Sequence, residues 1–211
     1  MHDKSLDYVI NNYIAPAYFE PESNQYTLEE TEEQGKSLLK VSIEDENFCI
    51  KKYDDKKRCA FFKTPNQAGK NDESVSKCVD HVIMQHKNGV WRLHLIEMKS
   101  SVGAKTWERI KKQNRDAYLE ILALSGVLGI NFSEITSYTT YESEKFKNDD
   151  TNPLKKTALL GKKASNGYEQ WESGDMELSV RAGKPLQIKH NKIRMVKDND
   201  NNVLQGSLNI C

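Results

Sequence analysis

Residues 76–101 read SKCVDHVIMQHKNGVWRLHLIEMKSS, two β-prone runs on either side of Asn88-Gly89. That dipeptide favours a two-residue hairpin, because a type I′ turn needs positive φ at both central positions. Folding the chain there sets Lys87 opposite Val90, so Met84 meets Leu93, Val82 meets Leu95, and Asp80 falls opposite Glu97. Side chains alternate between faces along a strand, so Asp80, Glu97 and Lys99 share one face. The same face carries Val82, Leu93 and Leu95, so the carboxylates continue a core-facing row rather than a solvated one. Opposed residues hold their Cβ atoms roughly 4.5–5.5 Å apart. Two carboxylates at that distance repel each other, and a divalent cation between them reverses the sign.

Charge elsewhere is uneven although the whole chain sums to zero: 31 Lys and Arg balance 31 Asp and Glu. Residues 20–46 hold nine acids against Lys36 and Lys40, whereas residues 178–197 hold six Lys or Arg and no acid. Residues 99–115 carry Lys99, Lys105, Arg109, Lys111, Lys112 and Arg115 against Glu108 alone. Two basic segments in a neutral chain either build an anion-facing surface or form solvated faces balanced by the acidic one. The four cysteines, Cys49, Cys59, Cys78 and Cys211, form no C-x-x-C pair, which suits a reducing cytoplasm. The start has no signal-peptide pattern and no later run approaches a membrane span, so a soluble, cytoplasmic protein without membrane partners is expected. Neither a Walker loop nor a G-x-S-x-G element occurs.

A hydrophobic share of 37% in 211 residues supports one domain over 1–211, with a core at about 76–142. Leu6, Val9, Ile10, Tyr13 and Ile14 predict a helix over 4–18 that Pro16 brings to a close. Glu20 to Gly35 reads as polar and at best partly helical. SLLKVSIE, NFCIKKYD and RCAFFK read as an antiparallel meander that completes an N-terminal segment, 1–63. Thr64 to Ser76 is a polar loop. After Lys99, a turn leads into a helix over 104–125, with Trp107, Ile110, Asn114, Ala117, Tyr118, Ile121, Leu124 and Leu128 on one stripe. Lys105, Arg109, Lys112 and Arg115 lie on or near the opposite side. A strand follows over 135–142, then a loop over 143–175. The basic C-terminal segment, 176–211, reads as strand-rich: two or three strands over 177–196, broken at Gly183-Lys184-Pro185, and a last turn at NDNN.

Asp80 and the strand-borne triplet Glu97-Met98-Lys99, at the end of an apolar run, resemble the PD-(D/E)XK nuclease superfamily. Val79 stands where that pattern often has proline, and the resemblance covers residues 76 to about 130. It implies an α/β fold with a restriction-endonuclease-like core: a central mixed β-sheet flanked by helices, here with extra antiparallel strands. It also implies a Mg²⁺- or Mn²⁺-dependent endonuclease, acting on DNA more than RNA, in a restriction or anti-phage defence setting. Asp80, Glu97 and the Met98 backbone carbonyl would hold the metal, which neutralises charge developing on the phosphate. Lys99 would position or activate the attacking water. The superfamily often adds an upstream acid; Glu29, Glu30, Glu32, Glu33 and Glu44 are eligible, with Glu33 placed first. Lys105, Arg109, Lys112, Gln113 and Arg115 would contact nucleic acid, although an exposed helix amide describes Gln113 better. The Gln-x-x-x-Tyr motif of the RecB-like branch is not matched, since Gln113 and Tyr118 are five apart and Asn114 carries the wrong amide. An RNA endonuclease on the same fold and a non-catalytic nucleic-acid-binding or protein-interaction domain remain open. So does a homodimer or a protein partner, because restriction-type relatives cut both strands as dimers. Zinc fits poorly, because the register points Cys78 to one face and His81 and His94 to the other.

Overall fold

The structure, a computed structural model, describes residues 6, 10, 19–32, 35–53, 75, 77–146, 167–180, 184–198 and 203–211. Its strands begin with β1 (Phe19–Glu20), β2 (Gln25–Glu32), β3 (Gly35–Ile43), β4 (Glu46–Ile50), β5 (His81–Lys87), β6 (Val90–Met98) and β7 (Ser101–Val102). Helix α1 (Ala104–Leu128), β8 (Phe132–Tyr141), β9 (Ser143–Glu144) and helix α2 (Gly167–Ser173) follow. The chain closes with β10 (Asp175–Leu178), β11 (Leu186–Arg194), β12 (Val196–Lys197) and β13 (Leu204–Ile210).

Asn88 and Gly89 take φ of 53° and 80°, both positive, as the type I′ turn demands. The hairpin they close has the expected register, with Lys87 on Val90, Met84 on Leu93 and Val82 on Leu95. Around it grows a seven-stranded mixed sheet ordered β1-β4-β5-β6-β8-β11-β10. β4, β5 and β6 are antiparallel, whereas β8 and β11 run parallel to β6. A parallel neighbour needs a crossover, and α1 is that crossover between β6 and β8. A four-stranded sheet ordered β12-β13-β3-β2 accompanies it, with a short β7-β9 pair. The protein is therefore mixed α/β.

Period-two alternation divides the core into layers. Val82, Met84, Leu93 and Leu95 pack with Ala117 and Ile121 of α1 and with Leu6. Residues of opposite parity, Ile83, Ile96 and Met98, pack with Leu28, Leu39 and Val41 of the second sheet. A third cluster seats Trp107 and Ile110 of α1 on Trp171 of α2 and Ile188 of β11. Helix α1 stops at Gly129, whose φ of 69° is the left-handed conformation glycine adopts without penalty.

Four expectations change. The Glu-rich stretch after residue 20 is strand, not partial helix, because Tyr26 and Leu28 alternate inward between outward Thr27 and Glu29. SLLKVSIE and NFCIKKYD are strands but not one meander: β3 joins the four-stranded sheet and β4 the seven-stranded one. Between them the chain turns at Asp45, with φ of 67°. The stretch read as loop over 143–175 contains α2, which Trp171 anchors. Helix α1 also runs three residues past the expected end at 125. RCAFFK, the 64–76 loop apart from Val75, and the 4–18 helix apart from Leu6 and Ile10 lie outside the described residues; those two have helical backbone. No helix among the described residues is long and apolar enough to cross a membrane.

Candidate active site

Asp80 lies one residue before β5, where the hairpin register carries it level with Glu97. A hydrogen bond makes that alignment concrete: the Met98 N–H donates to Asp80 Oδ2 at 2.6 Å. Two further contacts fix the backbone on either side. The Asp80 carbonyl accepts from the Tyr53 N–H at 2.7 Å, and Gln113 Nε2 of α1 donates to the Cys78 carbonyl at 3.2 Å. On the β8 side, the Lys99 N–H donates to Thr140 at both its carbonyl and its Oγ1. Asp80, Glu97 and Lys99 are thus held from three elements.

Asp80 is 3% exposed and Glu97 fully buried. The Lys99 ammonium stands among their oxygens: Nζ is 2.6 Å from Glu97 Oε1, 3.0 Å from the Met98 carbonyl and 4.0 Å from Asp80 Oδ2. Those three oxygens are the ones expected to hold a metal, and they converge on one cationic centre. Two carboxylates and a carbonyl are hard oxygen donors of the kind Mg²⁺ and Mn²⁺ take. With all three side chains ionised the cluster carries a net charge of −1; a divalent ion changes it to +1, which matches an anionic phosphodiester. The residues therefore fit the group. Among the described residues, no set of three or more His, Cys, Asp or Glu side chains gathers for a metal. The remaining positions would fall to water or substrate oxygens, as Mg²⁺ usually prefers.

The histidines sit apart from this centre. His81 pairs with Ile96 and His94 with Ile83, on the opposite face. Burial, with Lys51 adding to it, pushes the His81 imidazole down to about 4. Burial also holds His94 at about 4, where its nitrogens meet Tyr138 Oη and Gln85 Oε1. His190, on β11, is driven to about 3 by burial and by Lys192, and its Nε2 meets Thr139 Oγ1 at 3.0 Å. All three are neutral structural imidazoles at pH 7. Thr139 pairs with Glu97, so His190 supports the strand beside the carboxylate.

Of the residues expected to face nucleic acid, Lys105 and Arg109 are exposed on α1 and Lys112 is half-buried. Gln113 and Arg115 are not on that surface. Gln113 is buried against Cys78, because its amide satisfies a backbone carbonyl two residues before Asp80. Arg115 is buried in a pair with Asp116, Nη2 to Oδ1 at 2.7 Å. Glu33 lies outside the described residues. Of the other eligible acids, Glu30 lines a cleft with Met98 and Ser100, Glu29 pairs with Lys36 at the surface, and the Glu44 carbonyl binds Gln85 at the far end of β5. Tyr53 and Thr140 are supporting residues the sequence does not single out, and Gln113 is one it singles out for a different role. Their contacts join segments far apart in the chain, and nothing in local spacing signals them. No protein-family model, curated protein or solved structure matches this chain.

Proposed function

We propose that the protein is a metal-dependent nuclease of the PD-(D/E)XK type, hydrolysing phosphodiester bonds with Mg²⁺ or Mn²⁺, in DNA more than in RNA. The observation that carries this reading is the convergence of Asp80 Oδ2, Glu97 Oε1 and the Met98 carbonyl on one cation at a sheet end. The order of elements supports it: three antiparallel strands, a helix, then a strand parallel to the third is the order expected of the restriction-endonuclease-like core. When bound, the metal would neutralise charge on the phosphoryl oxygens and lower the pKa of a coordinated water. Asp80 and Glu97 would hold it, with Asp80 oriented by the Met98 N–H. Lys99, its stem on the strand and its ammonium able to swing on four methylenes, would give up its place among the oxygens and donate to the attacking water or a phosphoryl oxygen. Gln113 would act as a positioning residue through Cys78.

Incubating plasmid, single-stranded DNA and RNA with Mg²⁺ or Mn²⁺ tests this reading, with wild type beside Asp80→Ala and Lys99→Ala. Metal-dependent cutting that both substitutions abolish is expected. Cutting that persists in both variants would assign the activity elsewhere.

A further inference from the structure

Beyond the candidate centre, a groove lies between β11 and β13. It measures about 810 Å³. Among the described residues, Lys40, Lys192 and Arg194 line it together with Asn191, Gln205 and Ser207, and no acidic one does so, although the Lys192 ammonium itself pairs with Glu172 at 2.8 Å. Two strand edges border it. β10 covers β11 only as far as Lys189, and β12 covers β13 only at Leu204 and Gln205. Peptide groups alternate along a strand. The His190 N–H points away from β8, to Gly174, and that of Met195 points toward β8, to Tyr141. The Lys192 and Arg194 N–H groups share the parity of His190 and point along the edge that β10 does not reach. Amides and cations together suit phosphate oxygens.

Register ties the groove to the centre. Glu97 pairs with Thr139 and Thr139 with Lys192; Tyr141, one step beyond the last β6–β8 pair, faces Arg194. Arg194 thus lies two strand spacings from Lys99 on the same sheet end, about 10 Å. That is about three nucleotides at the 3.4 Å rise of B-form DNA. A second cleft, of about 270 Å³, includes Met98 and Ser100 beside the centre together with Lys197 and Leu204. Lys36 and Lys145 line it too, and so do Glu30 and Glu142.

We infer that this groove is the track for the nucleic-acid strand flanking the cleaved bond, with Arg194 and Lys40 binding its phosphates. The inference rests on the nuclease reading. Two strand edges would also admit an extended peptide, but Lys40 and Arg194, with no acidic residue in the groove's described lining, favour a polyanionic backbone. The test is binding of a fluorescein-labelled 20-nucleotide single-stranded DNA in EDTA, across a salt series. Wild type is compared with Lys40→Glu/Arg194→Glu and with a charge-matched control, Lys184→Glu/Lys189→Glu, whose residues are exposed and outside the groove. The groove variant should bind at least tenfold more weakly, and its salt slope should fall by about 1.4, at ~0.7 for each phosphate that is no longer neutralised. The control should stay within about threefold of wild type. Equal weakening in both variants, or wild-type affinity in the groove variant, overturns the inference while leaving wild-type cleavage to judge the nuclease reading. Selective weakening in the groove variant, from a wild type that cuts nothing, supports the groove and overturns hydrolysis. Binding of a 20-residue polyglutamate but not of the oligonucleotide, abolished in the groove variant, replaces the strand track with a peptide site.

Discussion

Replacing Lys99 with alanine removes the ammonium that stands among Asp80, Glu97 and the Met98 carbonyl. The Glu97 side chain is fully buried, that of Asp80 is 4% exposed and that of Lys99 16%. Deleting one member of a buried ion pair costs about 3–5 kcal/mol, because the remaining charge loses its compensation. Lys99 reaches water at its tip, so the lower figure, about 3 kcal/mol, applies. For a chain of this size each kcal/mol moves the midpoint by about 2–4 °C, so Lys99→Ala should melt about 6–12 °C below wild type in EDTA. Circular dichroism melts measure it. Adding Glu97→Gln to Lys99→Ala should recover most of the loss, since the amide keeps the volume and discards the charge. Mn²⁺ should recover it too, by restoring a cation to the same oxygens. A Lys99→Ala midpoint within about 2 °C of wild type in EDTA would refute the reasoning. So would a further loss on adding Glu97→Gln.

The buried imidazoles set a pH dependence. His81 and His94 are held at about 4 in the fold, against ~6.5 when unfolded, so the unfolded chain binds more protons across that window. Stability should therefore fall as pH drops below about 6.5, by roughly 2 kcal/mol per imidazole between pH 7 and pH 5, and His190, held at about 3, extends the fall below pH 4. Denaturant melts at the two pH values measure it; His94→Gln should flatten the slope, and a slope unchanged by that substitution would contradict the assignment. Trp171 is fully buried against Trp107, Tyr141 and His190, and its Nε1 donates to Glu144. Trp171→Ala should cost about 3–5 kcal/mol, read from the denaturation midpoint. A Cβ at Gly206 would clash with the Met195 sulfur, so Gly206→Ala should cost about 1–3 kcal/mol in wild type and less in a Met195→Ala background. An equal cost in both backgrounds would place the strain elsewhere.

The central hairpin was legible because its determinants are local. Asn88-Gly89 sets the turn, the turn sets the register, and the register alone brings Asp80 beside Glu97. Helix α1 was legible for the same reason, from the spacing of Trp107, Ile110, Ala117 and Ile121. The sheet that each strand joins was not. β3 alternates while β4 is buried on both faces, and the switch at Asp45 depends on which surface Leu39, Val41 and Cys49 find to cover. Glu-rich composition masked the alternation in β2, where Tyr26 and Leu28 are the buried pair. A helix of two turns such as α2 is too short to show a period. Burial of Gln113 and Arg115 was hidden as well, because a polar side chain goes inside when a partner awaits it. Cys78 and Asp116 are those partners. The basic tail was visible as composition, but its place came only with the parallel pairing of β11 on β8.

Calorimetric titration of Mn²⁺ into the protein tests the metal centre without needing its substrate. Wild type should bind Mn²⁺, Asp80→Asn and Glu97→Gln should each abolish that binding, and Lys99→Ala should keep it. Undiminished Mn²⁺ uptake by both carboxylate variants, or none by wild type, would contradict a metal site built on Asp80 and Glu97.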